Sequence, residues 1–173
     1  MRYALCAALL LALAGQAHAD DPLGGLKSKV SGKAKEAANS AVVDKVNAKL
    51  LEEGRKNQCS FKTDSDVLEP GCDAKAKKLA NLVIDMKKQL AQSGASGYHF
   101  VVSGHTDSSG KDDHNLELSK KRAAAIVREL VARGVPQNDI VPVGMGSKKL
   151  LVKPDNTPAK KAKNRRYEIQ VEL

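Results

Sequence analysis

Apolar residues recur along this chain with two different periods, and the switches between them mark out its elements. Leu79, Leu82, Val83, Met86 and Leu90 fall at i, i+3, i+4, i+7 and i+11, which is one face of a helix, and Gly94 to Gly97 breaks it. Ala123, Ile126, Val127 and Leu130 mark a second helix, stopped by Gly134 and Pro136. Strict alternation reads as strand. Tyr98 to Ser103 is one, ending at Gly104, and at the C-terminus Tyr167, Ile169, Val171 and Leu173 alternate with Glu168, Gln170 and Glu172. Shorter strands are expected over Asp139 to Val143 and near Phe61 to Leu68, the latter closed by Glu69-Pro70-Gly71. Residues 148–163 read as a loop rich in lysine and proline. The order β-α-β-α-β-(loop)-β is that of an α+β fold: a two-layer sandwich, a mixed sheet with helices on one face.

Upstream, residues 23–55 have helical character of their own. Val42, Val46 and Leu50 recur every four residues, and Val30, Ala37 and Ala41 continue the stripe, although Gly24, Gly25 and Gly32 weaken its start. An amphipathic stripe needs something to cover it. The following domain, a second copy and an envelope protein are candidates; the alternative is a solvated spacer. Before it, Arg2, the Ala/Leu run from Ala4 to Ala14 and Ala17-His18-Ala19 have the form of a secretory signal peptide with its cleavage site. That run of about 11 residues is too short for a bilayer span, which takes roughly 20. Cys6 precedes most of the apolar run, so it does not have the position of a lipid-attachment cysteine. The expected organisation is a cleaved leader over 1–19, a helical spacer or docking segment over 20–58, and a folded domain over 59–173, giving a periplasmic protein without a transmembrane segment.

Composition narrows the function. Aromatics make up 3% of the 173 residues, too few for the girdles of an outer-membrane barrel or for a binder that stacks bases. The formal charge of +9 is unevenly placed: residues 148–166 hold eight Lys/Arg against one acid, whereas 59–147 hold twelve against eleven. This basic stretch reads either as a solvated loop or as an attraction for acidic polymers. Export would put nucleic acid out of reach. It would also leave two of the three cysteines, Cys59 and Cys72, in an oxidising compartment, where a disulfide between them is expected. Two free thiols or an intermolecular bridge are the alternatives.

Familiar catalytic motifs do not fit. In Gly104-His-Thr-Asp-Ser-Ser-Gly110-Lys111-Asp112, five residues separate the glycines where a phosphate loop needs four, and Asp112 stands where Ser or Thr would hold Mg²⁺. Gly144-Met-Gly146 lacks a third glycine at dinucleotide spacing. A calcium loop starting at Asp107 would have Ser109 at its third position and no Glu at its twelfth. Cys-x12-Cys has no nearby His to complete a metal site, and His105, Asp107 and His114 are only loosely grouped. No Gly-x-Ser-x-Gly occurs. A binding protein without cofactor or metal is expected rather than an enzyme.

What remains is a polar stripe. In a helix starting near Asn115, the residues Asn115, Ser119 and Arg122 lie within about 60° of one another, apart from the apolar face. Asp107 lies in the loop leading to that helix. A carboxylate and a guanidinium facing one cleft would suit a zwitterion, with Asp taking an ammonium and Arg forking onto a carboxylate. The same two residues could equally form an internal salt bridge that only fixes the loop.

Five signals in order then resemble one family: Gly104-His-Thr106-Asp107-x-x-Gly110, Asn115-x-x-Leu118-Ser119-x-x-Arg122-Ala123, Gly134-Val135, Gly144-x-Gly146 and Asn164-Arg165-Arg166-x-Glu168-Ile169. Together they resemble the OmpA-like peptidoglycan-binding domain, found also in peptidoglycan-associated lipoproteins and flagellar stator proteins, over about 59–173. The resemblance implies non-covalent binding of peptidoglycan through the diaminopimelate of its stem peptide. Asp107 would take the α-ammonium and Arg122 the α-carboxylate. Asn115, Leu118 and Thr106 would line the pocket, Arg165 would add a polar contact, and Phe61 and Asp64 would stand at the rim. The chain departs from the family pattern at Lys160-Lys161, where Gly-Arg is usual, and at Lys148, Lys149 and Lys153, where a shorter proline loop is usual. The alternative is a periplasmic interaction scaffold that keeps the fold without the ligand.

Overall fold

The structure, a computed structural model, describes the backbone from Pro22 and side chains from Asn39. The expected leader over 1–19, and the side chains of Val30 and Ala37, lie outside the described residues. The chain divides into two units, and the second, Glu36–Leu173, begins within helix α1 (Pro22–Lys56). The second unit contains α2 (Cys72–Gln92), β1 (His99–His105), α3 (Asp112–Val131), a 3₁₀ turn (Gln137–Asp139), β2 (Ile140–Gly144), α4 (Pro158–Asn164) and β3 (Arg166–Glu172).

The strands form one mixed sheet in the order β2-β1-β3. β1 runs parallel to β2, with Phe100 opposite Ile140, and antiparallel to β3, with Val102 opposite Ile169. This register places Phe100, Val102, Ile140, Tyr167, Ile169 and Val171 on one face, and all six are buried. Helices cover that face. The stripe expected on α2 is buried at Leu79, Val83, Met86 and Leu90, and α3 contributes Ala123, Ile126, Val127 and Leu130. On α1 the buried apolar side chains are Val43, Val46 and Leu50, with Val42 only half-buried and Ala41 exposed. Val46 and Leu50 are thus buried as the repeat predicts, while the position before them moves by one residue, from Val42 to Val43. Leu50, 1% exposed, contributes roughly 1.5–3 kcal/mol on burial. From Glu36 onward α1 thus shares the core of the domain.

Three further differences have local causes. Phe61 to Leu68 is not a strand of the sheet. It folds back on itself, bridged at Phe61 and Leu68, with Lys62 N donating to Val67 O at 2.9 Å. Thr63-Asp64-Ser65-Asp66 is a run of turn formers: Asp64 has φ 51°, and Ser65 Oγ accepts from Val67 N at 3.0 Å. The lysine-rich loop contains α4, whose start is capped by Thr157 Oγ1 accepting from Lys160 N at 3.3 Å, with Pro158 in the first turn. Finally, α3 begins at Asp112, three residues before Asn115, with Asp112 and Asp113 in the turn where helix polarity favours acids.

Cys59 and Cys72 are joined in a disulfide, with Cα atoms 5.0 Å apart, connecting the chain just beyond α1 to the first residue of α2. Tyr167, 1% exposed, seals the same corner: its hydroxyl donates to Asn57 O at 2.9 Å and accepts from Cys59 N at 3.2 Å.

Candidate functional site

The site is built where β1 and β2 end under the first half of α3. The helix backbone lies almost directly on the strands. A Cβ at Gly104 would stand 2.2 Å from Ser119 O, and one at Gly144 would stand 2.7 Å from Leu116 O, so both positions require glycine. Thr106 N donates to Gly146 O at 3.0 Å, and Gly146 N to Ser119 Oγ at 2.9 Å, locking the loop after each strand to the helix. Ser119, fully buried, therefore fastens this junction rather than facing a ligand.

Asp107 is 8% exposed. Its Oδ2 accepts from Arg165 Nη1 at 2.7 Å and its Oδ1 from Ser109 N at 2.9 Å. Burial works to raise its carboxyl pKa, but the Arg165 guanidinium and the Ser109 hydrogen bonds outweigh burial and hold it below the usual range. Asn115 Nδ2 donates to Ser109 O at 2.8 Å, which fixes the turn that presents Asp107.

Arg122 is equally buried at 8%, yet it makes no ion pair among the described residues. Nε donates to Ser65 O at 2.9 Å, Nη2 approaches Lys62 O at 3.4 Å, and the guanidinium carbon sits 5.1 Å from the centre of the Phe61 ring. The internal Asp107–Arg122 salt bridge that the sequence left open is thus absent, and Asp107 pairs with Arg165 instead. Burial, then the charge of Arg165, pull the Arg122 pKa below its ordinary value, against the pull of Asp64, Asp107 and Asp66.

Every candidate binding residue borders one cleft of about 1040 Å³. Asp64 stands at its exposed rim, where its Oδ1 lies 2.6 Å from His114 Nε2. Leu118 and Phe61 are half-buried in its wall, and Thr106 is 3% exposed with an Oγ1 that has no hydrogen-bond partner. Leu51, Gly54 and Arg55 of α1 supply part of the wall, a contribution that motif reading did not include. His105, Asp107 and His114 have separate partners: His105 Nε2 lies 3.2 Å from Ser103 Oγ, Asp107 faces Arg165, and His114 faces Asp64.

Sequence reasoning also missed the anchor of the basic loop. Asn164 is fully buried. Its Oδ1 accepts from Leu151 N at 2.8 Å and Val152 N at 3.0 Å, while its Nδ2 donates to Val152 O and to Asp155 Oδ2, each at 3.0 Å. Asp155 in turn accepts from Ser108 N at 2.9 Å and from Ser108 Oγ, joining the loop to the residue after Asp107. Hydrogen bonds from Ser108 and Asn164 lower its carboxyl pKa to about 2.

Comparison with known proteins bears on this arrangement. Residues 60–165 match the sequence profile of the OmpA family. Outer membrane porin F of Pseudomonas fluorescens is 37% identical over 113 residues, covering 65% of this chain and 31% of that protein. The peptidoglycan-binding protein ArfA of Mycobacterium tuberculosis is 43% identical over 71 residues, covering 41% of this chain and 22% of its own. The chain thus corresponds to about a third or less of these relatives. Among solved structures, the peptidoglycan-associated lipoprotein from Burkholderia pseudomallei superposes with a TM-score of 0.55 at 25% identity, covering 66% of this chain and 89% of that one.

Proposed function

Since the chain belongs to the OmpA family, we propose that its cleft binds peptidoglycan without covalent chemistry, through the diaminopimelate of a stem peptide, and that the protein serves in organising or anchoring the cell envelope. One observation carries the reading: a buried guanidinium, Arg122, borders a cleft without a counter-ion among the described residues. An unpaired buried cation is costly, and an incoming carboxylate removes the cost. Diaminopimelate offers a carboxylate and an ammonium on the same carbon. The carboxylate forks onto Arg122, and the ammonium goes to Asp107, whose oxygens keep acceptor capacity beyond the bonds from Arg165 and Ser109. Asn115 holds the Asp107 turn, Leu118 and Phe61 give the aliphatic stem an apolar wall, and Thr106 Oγ1 is an unused polar group beside them. Arg165 and Asp64 flank the entrance.

In this reading the protein works by binding and not by catalysis, in the periplasm, facing the wall. A leader over 1–19 takes it there, and the segment 20–58 docks on the binding domain itself, sharing its core from Glu36 onward. The relative named as peptidoglycan-binding and the family match support the ligand class, and the Asp107/Arg122 geometry supports the zwitterion. The test is co-sedimentation with purified sacculi. The wild type should pellet, and Asp107→Ala or Arg122→Ala should leave the protein in the supernatant. A wild type that stays in the supernatant overturns the reading, and release of soluble muropeptides would overturn the non-catalytic part of it.

A further inference from the structure

Residues 148–166 carry six lysines and two arginines against one acid, Asp155. Asp155 forms no ion pair with any of them among the described residues. It is 5% exposed, and its oxygens are committed to Ser108 and Asn164. Both arginines have partners, Arg165 on Asp107 and Arg166 on Glu168. The lysines have no acidic partner among the described residues: Lys160 Nζ donates to Asn156 and Lys161 Nζ to Ser109 Oγ, at 3.0 and 2.7 Å. Lys148, Lys149, Lys153 and Lys163 are exposed.

A loose basic loop would be a solvated one. This loop is not loose, because Asn164 fastens Leu151, Val152 and Asp155 from inside, and Thr157 caps the helix that follows. Its charges are displayed on a fixed frame beside the cleft. Lys163 and Arg166 border the cleft, Lys161 is bonded to Ser109 on its rim, and Lys149 O receives the Arg166 guanidinium at 3.2 Å.

We infer that the loop 148–163 is a cationic extension of the cleft that engages the carboxylates of stem peptides neighbouring the one seated at Arg122. The inference rests on the peptidoglycan reading above. An anionic lipid surface offers charge of the same sign, but Lys163 lines the cleft and Lys161 is bonded to Ser109 on its rim, so a polymer with carboxylates at repeated spacing can reach the cleft and the loop together. Linking a second weak contact to the first raises avidity for the polymer without changing affinity for a single stem.

The experiment compares the wild type, Arg122→Ala and the triple variant Lys148→Gln/Lys149→Gln/Lys153→Gln, using the full chain throughout. Each is titrated with sacculi across salt concentrations, with a soluble disaccharide-tripeptide carrying one stem, and with phosphatidylglycerol vesicles. The triple variant should bind sacculi about tenfold more weakly at low salt and converge with the wild type near 0.5 M salt, where roughly 4 Å of Debye length screens exposed charges. It should bind the single-stem fragment as the wild type does, whereas Arg122→Ala should bind neither. Equal sacculus affinity and equal salt dependence in the triple variant and the wild type overturn the inference and leave the peptidoglycan reading standing. Vesicle binding that is lost in the triple variant while sacculus binding is unchanged overturns it in favour of lipid. A wild type that binds neither fragment nor sacculi overturns both.

Discussion

Replacing Arg122 with methionine should remove binding and leave stability almost unchanged, a combination that a purely structural arginine would not give. The losses can be counted from its surroundings. One hydrogen bond to Ser65 O has good length at 2.9 Å, and a bond with a charged donor is worth about 1.5–3 kcal/mol. The 3.4 Å approach to Lys62 O adds little, and the guanidinium over Phe61 adds about 1 kcal/mol. Against these stands the desolvation of a cation that is 8% exposed and has no carboxylate in contact, a penalty of several kcal/mol in real proteins. Methionine keeps an apolar, adaptable contact with the Phe61 ring and carries no charge. The two effects nearly cancel, so the change in unfolding free energy should stay within about 1 kcal/mol. Urea unfolding at pH 7 with the disulfide intact measures it, and sacculus co-sedimentation of the same preparation measures binding. A loss of about 3 kcal/mol or more, the range for breaking a satisfied buried ion pair, combined with retained binding would refute the reasoning. It would mean that Arg122 is already compensated within the fold.

Asn164→Ala removes four hydrogen bonds from a fully buried side chain and leaves Asp155 without its amide donor. At about 1 kcal/mol each, the expected cost is ~3–4 kcal/mol by urea unfolding, with faster amide hydrogen exchange at Leu151 and Val152. A cost below about 1 kcal/mol would mean that water replaces the network. Stability should also fall with pH through a group outside the cleft's ion pair. Burial, aided by the charges of Arg166 and Lys149 and opposed by Glu168, lowers the His105 pKa from 6.5 to about 4. The folded value lies below the unfolded one, so the unfolded chain takes the proton first. Stability is whole above pH 6.5 and declines towards pH 4, by up to about 3 kcal/mol. Asp155 acts in a lower window, its contribution being lost between about pH 4 and pH 2. Urea midpoints from pH 7 to 4 should slope less in His105→Gln than in the wild type, and an identical slope would assign the effect to other groups.

The readable parts of the fold were those where one face is buried along a whole element. The stripe from Leu79 to Leu90 and the alternation from Tyr167 to Val171 exist because helices cover one side of the sheet, and such burial writes its period into sequence. Phe61 to Leu68 was misread because its apolar residues lie at the two ends of a turn, and the Thr63–Asp66 turn chemistry prevailed over strand propensity. Helix α4 escaped notice although Thr157-Pro158 is a start signal, since seven residues dominated by lysine and alanine show no apolar stripe. At the site, motif spacing was enough to gather Asp107, Asn115, Leu118 and Arg122. It could not show that the near partner of Asp107 is Arg165, 58 residues away, because that choice depends on how the end of α4 meets the end of β1. Nor could it show that Asn164 and Asp155 are inward-facing polar residues, since both types are ordinarily exposed.

Two amides on the N-terminal side change how separable the binding domain is. β3 lies at the margin of the sheet. Asn47 Nδ2 donates to Val171 O at 3.1 Å and its Oδ1 accepts from Val171 N at 2.6 Å. Gln58 does the same at Tyr167, donating to its carbonyl at 2.9 Å and accepting from its N–H at 3.1 Å. Each side chain imitates one residue of an absent neighbouring strand. A chain cut at residue 59 would retain nearly all of the family match, which begins at residue 60, and would still expose a bare strand margin able to template a second molecule. The recognisable module and the self-sufficient module therefore have different beginnings. The last turns of α1 and Gln58 just beyond them cover that strand margin, beside the proposed ligand surface.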